Sequence, residues 1–449
     1  MLSLLLQDPD IPQAGAEFGN TTDVHPVGVA ALAVTAALAM FVPRRWATLP
    51  VIVLLCFIPA GQRLVVATID FTFIRMLMLV VWARLFLRGD TRPLLWNHLD
   101  RCMVVWAATC VVTGTLQAMT LTVLINRLGN AIDAMMIYFC FRQLVRGYRD
   151  AITLATQFIL CSFPVAAVFF VESRTSKNMF AFLGGVPEFT EIRDGRLRCQ
   201  GAFAHAILAG CFWACLMPLY LIGGWIKGRW FLPVAGIASA TAIVAMCASS
   251  TPVMAIAFGI VGGAGFLARG AMPWIRWLVV LWLCVLHFFM MKQPVWHLLA
   301  RVDIVGGSTG WHRFHLVDKF FLYFPEWWLL GTPQTGHWGP GLQDLTNQFV
   351  AEGVNGGIWR LCMFVSIVWL AFAGVSRSMR LPEAGRHYRF VSWALGTALF
   401  MHCMNFIAVS YFDQIMVIWF MTLACISSLT LVPGASVAQQ LAQLDEPGN

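Results

Sequence analysis

Charge is what this chain has least of. Only 12% of its 449 residues are charged and 59% are hydrophobic, with a mean hydropathy of +0.73. Soluble domains carry roughly 25% charged residues, so the composition excludes a soluble enzyme. Cysteine is scarce where it would matter. Of 13 cysteines nearly all fall in apolar runs, and Cys199 stands alone in an expected outer loop, which excludes a disulfide framework stapling the loops. Internal repeats, low-complexity tracts and soluble-domain boundaries are also missing, so residues 1–449 are expected to form one membrane domain. The opening MLSLLLQDPD lacks a basic n-region and its apolar run is too short for a cleaved signal peptide. Insertion is expected to rely on the first span.

Apolar runs dominate what is present. They fall at 27–43, 47–61, 71–88, 102–120, 124–145, 151–171, 205–224, 230–248, 252–268, 273–290, 355–375, 390–408 and 414–432. Most approach the ~17 to 25 residues that cross a bilayer as helix, which predicts an all-α polytopic membrane protein of about twelve or thirteen spans. The second run is short and the fifth polar. Arginine and lysine recur in every second short loop: Arg44 and Arg45; Arg84, Arg88, Arg92 and Arg101; Arg142, Arg146 and Arg149; Lys227 and Arg229; Arg269; and Arg377, Arg380, Arg386 and Arg389. Cytoplasmic loops retain positive charge, which predicts an outer N-terminus, an inner C-terminus, and two large outer loops, 172–204 and 291–354. The net charge of +8 is mostly this bias and gives no argument for nucleic acid.

Ionisable groups inside the membrane are costly and normally face an interior or a watery cavity. Arg75 lies in the third run, and Asn126, Asn130 and Asp133 share a helical face in the fifth. His402 and Asn405 repeat the theme in the twelfth, near Asp413. Interhelical hydrogen bonds, with an Arg75–Asp133 pair, compete here with a substrate-lined cavity. In the second outer loop KFFLYFPEWWLLG, 319–331, has the aromatic content of a segment lying at the bilayer surface.

Three outer motifs carry the chemistry: RLRCQGAFAHAILAG at 196–210, GSTGWHRFHLVD at 307–318 and DLTNQFVAEGVNGG at 344–357. Arginines spent on outer loops, against the positive-inside trend, suggest an anion held there. A guanidinium offers phosphate oxygens a planar fork, and Gly201 permits close backbone approach.

These segments resemble the O-antigen ligase and Wzy-type polymerase superfamily of bacterial envelope polysaccharide assembly. The resemblance lies in Arg198, Gly201 and Phe203, in Gly307, Ser308 and Arg313, in Leu329, Leu330 and Gly331, and in Asn347 and Gly353. It implies a bundle like that of the C-type glycosyltransferases in the bacterial inner membrane. It also implies a site on the periplasmic or external face, where arginines bind the diphosphate of an undecaprenyl-linked oligosaccharide. Family members often carry Pro-Asn where this chain has Ala206 and Ile207, and ligases commonly place a histidine where it has Thr346. Polymerase of exopolysaccharide or O-antigen is therefore the first reading, and ligase to a lipid A core the second.

The expected clamp on the diphosphate is Arg198 with Arg313, helped by Arg196, with His205 and Asn347 also set to bind substrate. His337, with Glu352 as competitor, is the expected base or acceptor-orienting group. Arginines anchoring lipid headgroups, an idle His337 and a helix-capping His205 are the plainer readings. No cofactor is called for, although His312, His315, Asp318 and His337 make a rival metal site. A lipid-linked-sugar transporter and an anion channel remain as non-enzyme rivals, against which stands the absence of repeats with paired broken helices.

Overall fold

The computed structural model describes residues 22–66, 69–301, 310–380 and 385–429. Among them every apolar run becomes a helix. In chain order these are α1 (Pro26–Phe41), α2 (Leu49–Phe57), α3 (Phe73–Leu87), α4 (His98–Ala118), α5 (Leu121–Leu144), α6 (Tyr148–Thr175), α7 (Ala206–Lys227), α8 (Phe231–Met246), α9 (Ser250–Ala264) and α10 (Met272–Val285). After the second large loop come α14 (Gly357–Arg380), α15 (Arg386–Phe406) and α16 (Gln414–Leu429), the loop itself holding α11 (Gly310–Leu322), α12 (Phe324–Trp327) and α13 (Gln348–Val354). Five helices are long and apolar enough to cross a membrane: α4, α6, α7, α14 and α10 with its flanking turns, Arg269–Met290. The protein is thus a polytopic, predominantly helical membrane protein.

Two features depart from an all-α chain. Strands β1 (Arg63–Val66) and β2 (Ile69–Thr72) form an antiparallel hairpin where continuous apolar sequence suggested the entry of a span, and β3 (Ile192–Arg193) with β4 (Arg196–Leu197) forms a second. Val, Ile, Phe and Thr favour strands as readily as buried helices. For the same reason the short second run yields only the nine residues of α2.

Helix α7 is the centre of the bundle. Its side chains from Ala206 to Tyr220 are almost all buried, packed among α6, α8, α9 and α15. By contrast, none of the apolar window of Arg269–Met290 is buried within the protein, so its Trp and Leu side chains are left to the surroundings.

The basic loops gather at one end of the bundle, and several of their arginines are not surface charges. Arg142 grips Asp100 through Nε at 3.0 Å and Nη2 at 2.9 Å, and Tyr138 and Ser427 donate to the same carboxylate. Arg44 pairs with Asp150 at 3.1 Å and donates to the Leu144 carbonyl at the end of α5. Arg84 and Arg88 reach the carbonyls of Met40, Phe41 and Val42, where α1 ends. Helix C-termini expose unpaired carbonyls and partial negative charge, so these arginines lock helix ends together. Both large loops meet at the opposite end.

Candidate functional site

The first large loop is tied down by a buried carboxylate. Glu172, in the last turn of α6, accepts from the backbone N–H groups of Gln200 and Gly201, each at 3.0 Å, and from the Thr190 hydroxyl at 3.1 Å. Gly201 takes φ +56°, and any Cβ there would collide with the Phe169 ring. Only glycine satisfies both demands, and the tight turn delivers the arginine segment to the head of α7. Upstream, the β3–β4 register sets Arg193 directly opposite Arg196, so both leave the same face of the hairpin. Arg198 donates to Glu191 at 2.9 Å, while its buried Nε has no protein partner among the described residues.

The second loop brings Arg313 to this rim. It lies on the inward face of α11, 8% exposed, donating through Nε to the Ala408 carbonyl at 3.0 Å and through Nη2 to the Thr251 hydroxyl at 3.2 Å. Burial pulls its basicity below the usual guanidinium range, and Arg193 adds a like charge within electrostatic reach. His205 stands exposed at the head of α7, within the electrostatic range of Asp344, Glu191 and Arg198. It occupies the N-cap of α7 without a capping bond from its side chain, and its ring meets the edge of Phe412 at 5.7 Å. His312 lies 3.2 Å from the Asp344 carbonyl, which links α11 to the third motif.

All three motif segments converge on residues 407–413, the connection between α15 and α16. Arg313 binds the Ala408 carbonyl, Asn347 donates to the Ile407 carbonyl at 3.1 Å, and the Gln348 side chain accepts from the Tyr411 N–H at 2.7 Å. From the other side Gln414 donates to the Ala202 carbonyl at 2.8 Å. Below, His402 and Asn405 lie 3.0 and 3.1 Å from the Tyr411 hydroxyl. The connection ends at Asp413, a non-glycine residue at φ +54°. Desolvation pushes its carboxyl up to about 6.

This geometry redistributes the expected roles. Asn347 is committed to the framework: besides holding Ile407, its Oδ1 accepts from Phe349 and Val350 and starts α13. Glu352 is 1% exposed and engaged by Arg360, Trp106 and Gln348 at 2.7, 3.2 and 2.8 Å, which leaves it no lone pair directed at an acceptor. His337 is exposed, 2.8 Å from Glu326 beside Tyr323 and Trp338, with no contact to Arg198 or Arg313. Arg196 is exposed at the hairpin turn. Gly307 and Ser308 lie outside the described residues. Among the described residues no three His, Cys, Asp or Glu side chains are grouped to hold a metal ion, so His312, His315, Asp318 and His337 do not converge.

The intramembrane polar groups resolve toward interhelical bonding. Arg75 grips both oxygens of Asp133 at 2.7 and 2.6 Å, while His402 and Asn405 are buried in the network under Tyr411. The aromatic segment 319–331 folds half inward: Phe320 stacks on Trp327 and Tyr323 on Trp338, while Phe321, Leu322, Phe324, Trp328 and Leu329 remain exposed. Gly331, at φ +88°, passes against the Val354 carbonyl and ties this shelf to α13.

Sequence reading missed Arg193, whose approach to within electrostatic reach of Arg313 depends on the fold of the first loop, and the unpaired state of Asp413. An acid directly ahead of an apolar helix, in a chain holding only 22 acidic residues, was the available signal. The segments that meet at the 407–413 connection thus carry guanidinium groups from two distant loops, an exposed imidazole and a desolvated carboxylate. That set suits an anion of more than one charge beside a group that exchanges a proton. No protein-family model matches the chain and no curated protein matches it.

Proposed function

We propose that this membrane protein is a glycosyltransferase joining undecaprenyl-diphosphate-linked glycans at the extracytoplasmic face of the bacterial inner membrane, as a polymerase of exopolysaccharide or O-antigen repeats. What supports the reading is that the segments bearing Arg198 and Arg313, more than a hundred residues apart in the chain, both bond to the α15–α16 junction, Ala202 with Gln414 and Arg313 with Ala408. The motif resemblance around Arg198, Gly201, Phe203, Asn347 and Gly353 supports the same class.

The chemistry follows from the donor. A polyprenyl diphosphate is already a leaving group, and the barrier falls when preorganised cations meet the charge it develops. Arg198 carries a buried Nε without a protein partner among the described residues, and Arg313 is fixed by Ala408 and Thr251. Arg193 and Arg196 thicken the positive field, and His205 sits at the mouth to orient sugar hydroxyls. His337, steered by Glu326, serves the acceptor side. The single domain with loops 172–204 and 291–354 above it belongs to this proposal, as does the C-type bundle. A ligase would use the same clamp on a different acceptor.

Reconstitution with a lipid-linked oligosaccharide, followed by chromatography of the products, tests this. A ladder of lengthening glycans is expected. One transferred glycan on a distinct acceptor would make the protein a ligase, and movement of donor without new bonds would make it a transporter.

A further inference from the structure

Asp413 has the position of a helix-capping residue and does not cap. A capping aspartate adopts extended backbone and accepts from the first turn of the helix that follows. Here the left-handed conformation swings the side chain away, and it is the Asp413 carbonyl that receives the Met416 N–H, at 3.1 Å. The carboxylate has no hydrogen bond or ion pair among the described residues, although its neighbours Tyr411, Phe412 and Gln414 are held. Tyr411 is fixed by Gln348, His402 and Asn405, Phe412 by the His205 ring, Gln414 by Ala202 and Ala408 by Arg313. Ile407, Ala408, Tyr411 and Phe412 are thus held by groups from the segment ahead of α7 and from α11, α13 and α15, and the one acid at the end of the connection is left unused.

The fold gives this arrangement no structural return. An unpaired, partly desolvated carboxylate destabilises the protein that carries it, and a left-handed aspartate adds strain. Such a combination, at the end of the connection on which all three motif segments converge, marks a working group. We infer that Asp413 is a catalytic residue, the base that takes the proton from the attacking hydroxyl of the glycan acceptor. This rests on the reading of the protein as a transferase of lipid-diphosphate-linked glycans. In the step, the acceptor oxygen forms a bond to the anomeric carbon of the donor while the bond from that carbon to the diphosphate oxygen breaks. The electron pair leaves with the diphosphate, held by Arg198 and Arg313, and the acceptor's proton passes to an oxygen of Asp413, which later releases it to water. No oxidant, reductant or further reactant is needed.

The raised acidity range of this carboxyl suits the task, since a base titrating near 6 is ionised at neutral pH yet more basic than an ordinary aspartate. Desolvation alone raises it, without a charged neighbour; the charged groups held against the same connection are His205 at Phe412 and Arg313 at Ala408.

The test uses the full chain in proteoliposomes, with Asp413→Asn and Asp413→Glu beside the unaltered protein. Three quantities are read: binding of polyprenyl diphosphate alone, transfer of glycan from the lipid-linked donor, and melting temperature. Asp413→Asn should bind polyprenyl diphosphate as the unaltered protein does, lose transfer by about a hundredfold or more, and melt at a higher temperature at pH 7.5. Asp413→Glu should regain part of the transfer. An Asp413→Asn protein that transfers within about tenfold of normal would overturn the assignment while leaving the glycosyltransferase reading intact. So would one that melts lower and loses lipid binding together with transfer, because the aspartate would then be structural. If the unaltered protein binds the donor and forms no glycosidic bond, the functional reading fails and Asp413 falls with it.

Discussion

A guanidinium held by two divergent acceptors is not replaceable by an ammonium. Arg313 directs Nε to the Ala408 carbonyl and Nη2 to the Thr251 hydroxyl, a fork that lysine lacks. Both Arg198→Ala and Arg313→Ala are expected to abolish glycan transfer while leaving membrane insertion normal, and the lysine variants to recover little. Losing a charge-assisted hydrogen bond costs roughly 1.5–3 kcal/mol, which corresponds to about ten- to more than a hundredfold in rate if confined to the transition state. Alanine variants with near-normal turnover in the proteoliposome assay would return both arginines to surface anchoring. Acidity gives a second residue-scale prediction. Because the folded protein raises the Asp413 carboxyl to about 6, turnover should fall as pH drops through that value and the base becomes protonated. The stability cost runs the same way. It is present above about pH 6, where the ionised form is penalised, and disappears below the ordinary aspartate range. The melting advantage of Asp413→Asn should therefore vanish near pH 4; a constant difference from pH 4 to 8 would show that ionisation is not its source.

At the scale of elements, the short helix α13 shows how a binding-motif look is produced by packing. Asn347 starts it, Gln348 reaches the 407–413 connection, and Glu352 fastens it to α14 and α4 through Arg360 and Trp106. Glu352→Ala would leave Arg360 as an unmatched charge, and losing one partner of a buried pair costs about 3–5 kcal/mol. A drop in yield and melting temperature is expected, with residual protein still binding polyprenyl diphosphate. Intact stability with lost turnover would instead restore Glu352 as a catalytic group. The first loop depends in the same way on Gly201. Alanine there meets both an unfavourable φ and the Phe169 ring, so Gly201→Ala should expose the 176–205 segment to protease, which limited digestion would read.

Over the whole molecule, the two ends of the bundle differ in what their arginines do. At one end they clasp aspartates and helix carbonyls; at the other, several remain available. If the first end is cytoplasmic, cysteines placed at the exposed positions Pro187 and Gln334 should react with an impermeant maleimide from outside intact cells. Cysteines at Lys227 and Arg386 should react only after permeabilisation. The reverse pattern would put the arginine rim in the cytoplasm and end the proposed function. The proposed function assigns the developing diphosphate charge to guanidinium groups, so transfer is expected to persist in chelator. Loss restored by a single divalent ion would contradict that assignment.

What the sequence determined by itself was the part governed by transfer of side chains from water. Long apolar runs have few alternatives to membrane helices, so the run at 205–224 becomes α7, which continues to Lys227, and the run at 151–171 lies within the longer α6, Tyr148–Thr175. Short runs carried less information: the stretch ending at 61 gives both a nine-residue helix and the approach to a hairpin, because residues that favour strands also fill buried helices. The motif arginines were legible because their charge opposes the surrounding trend. Which partners they meet was not, since the Arg313–Ala408 bond joins residues 95 apart and exists only once α9, α11 and α15 have packed. Tertiary structure alone decided that Glu352 and Asn347 are bonded into the framework and that Arg193 comes within electrostatic reach of Arg313. It also decided that Asp413 stands free, because whether a polar group is spent or available depends on neighbours that no local pattern records.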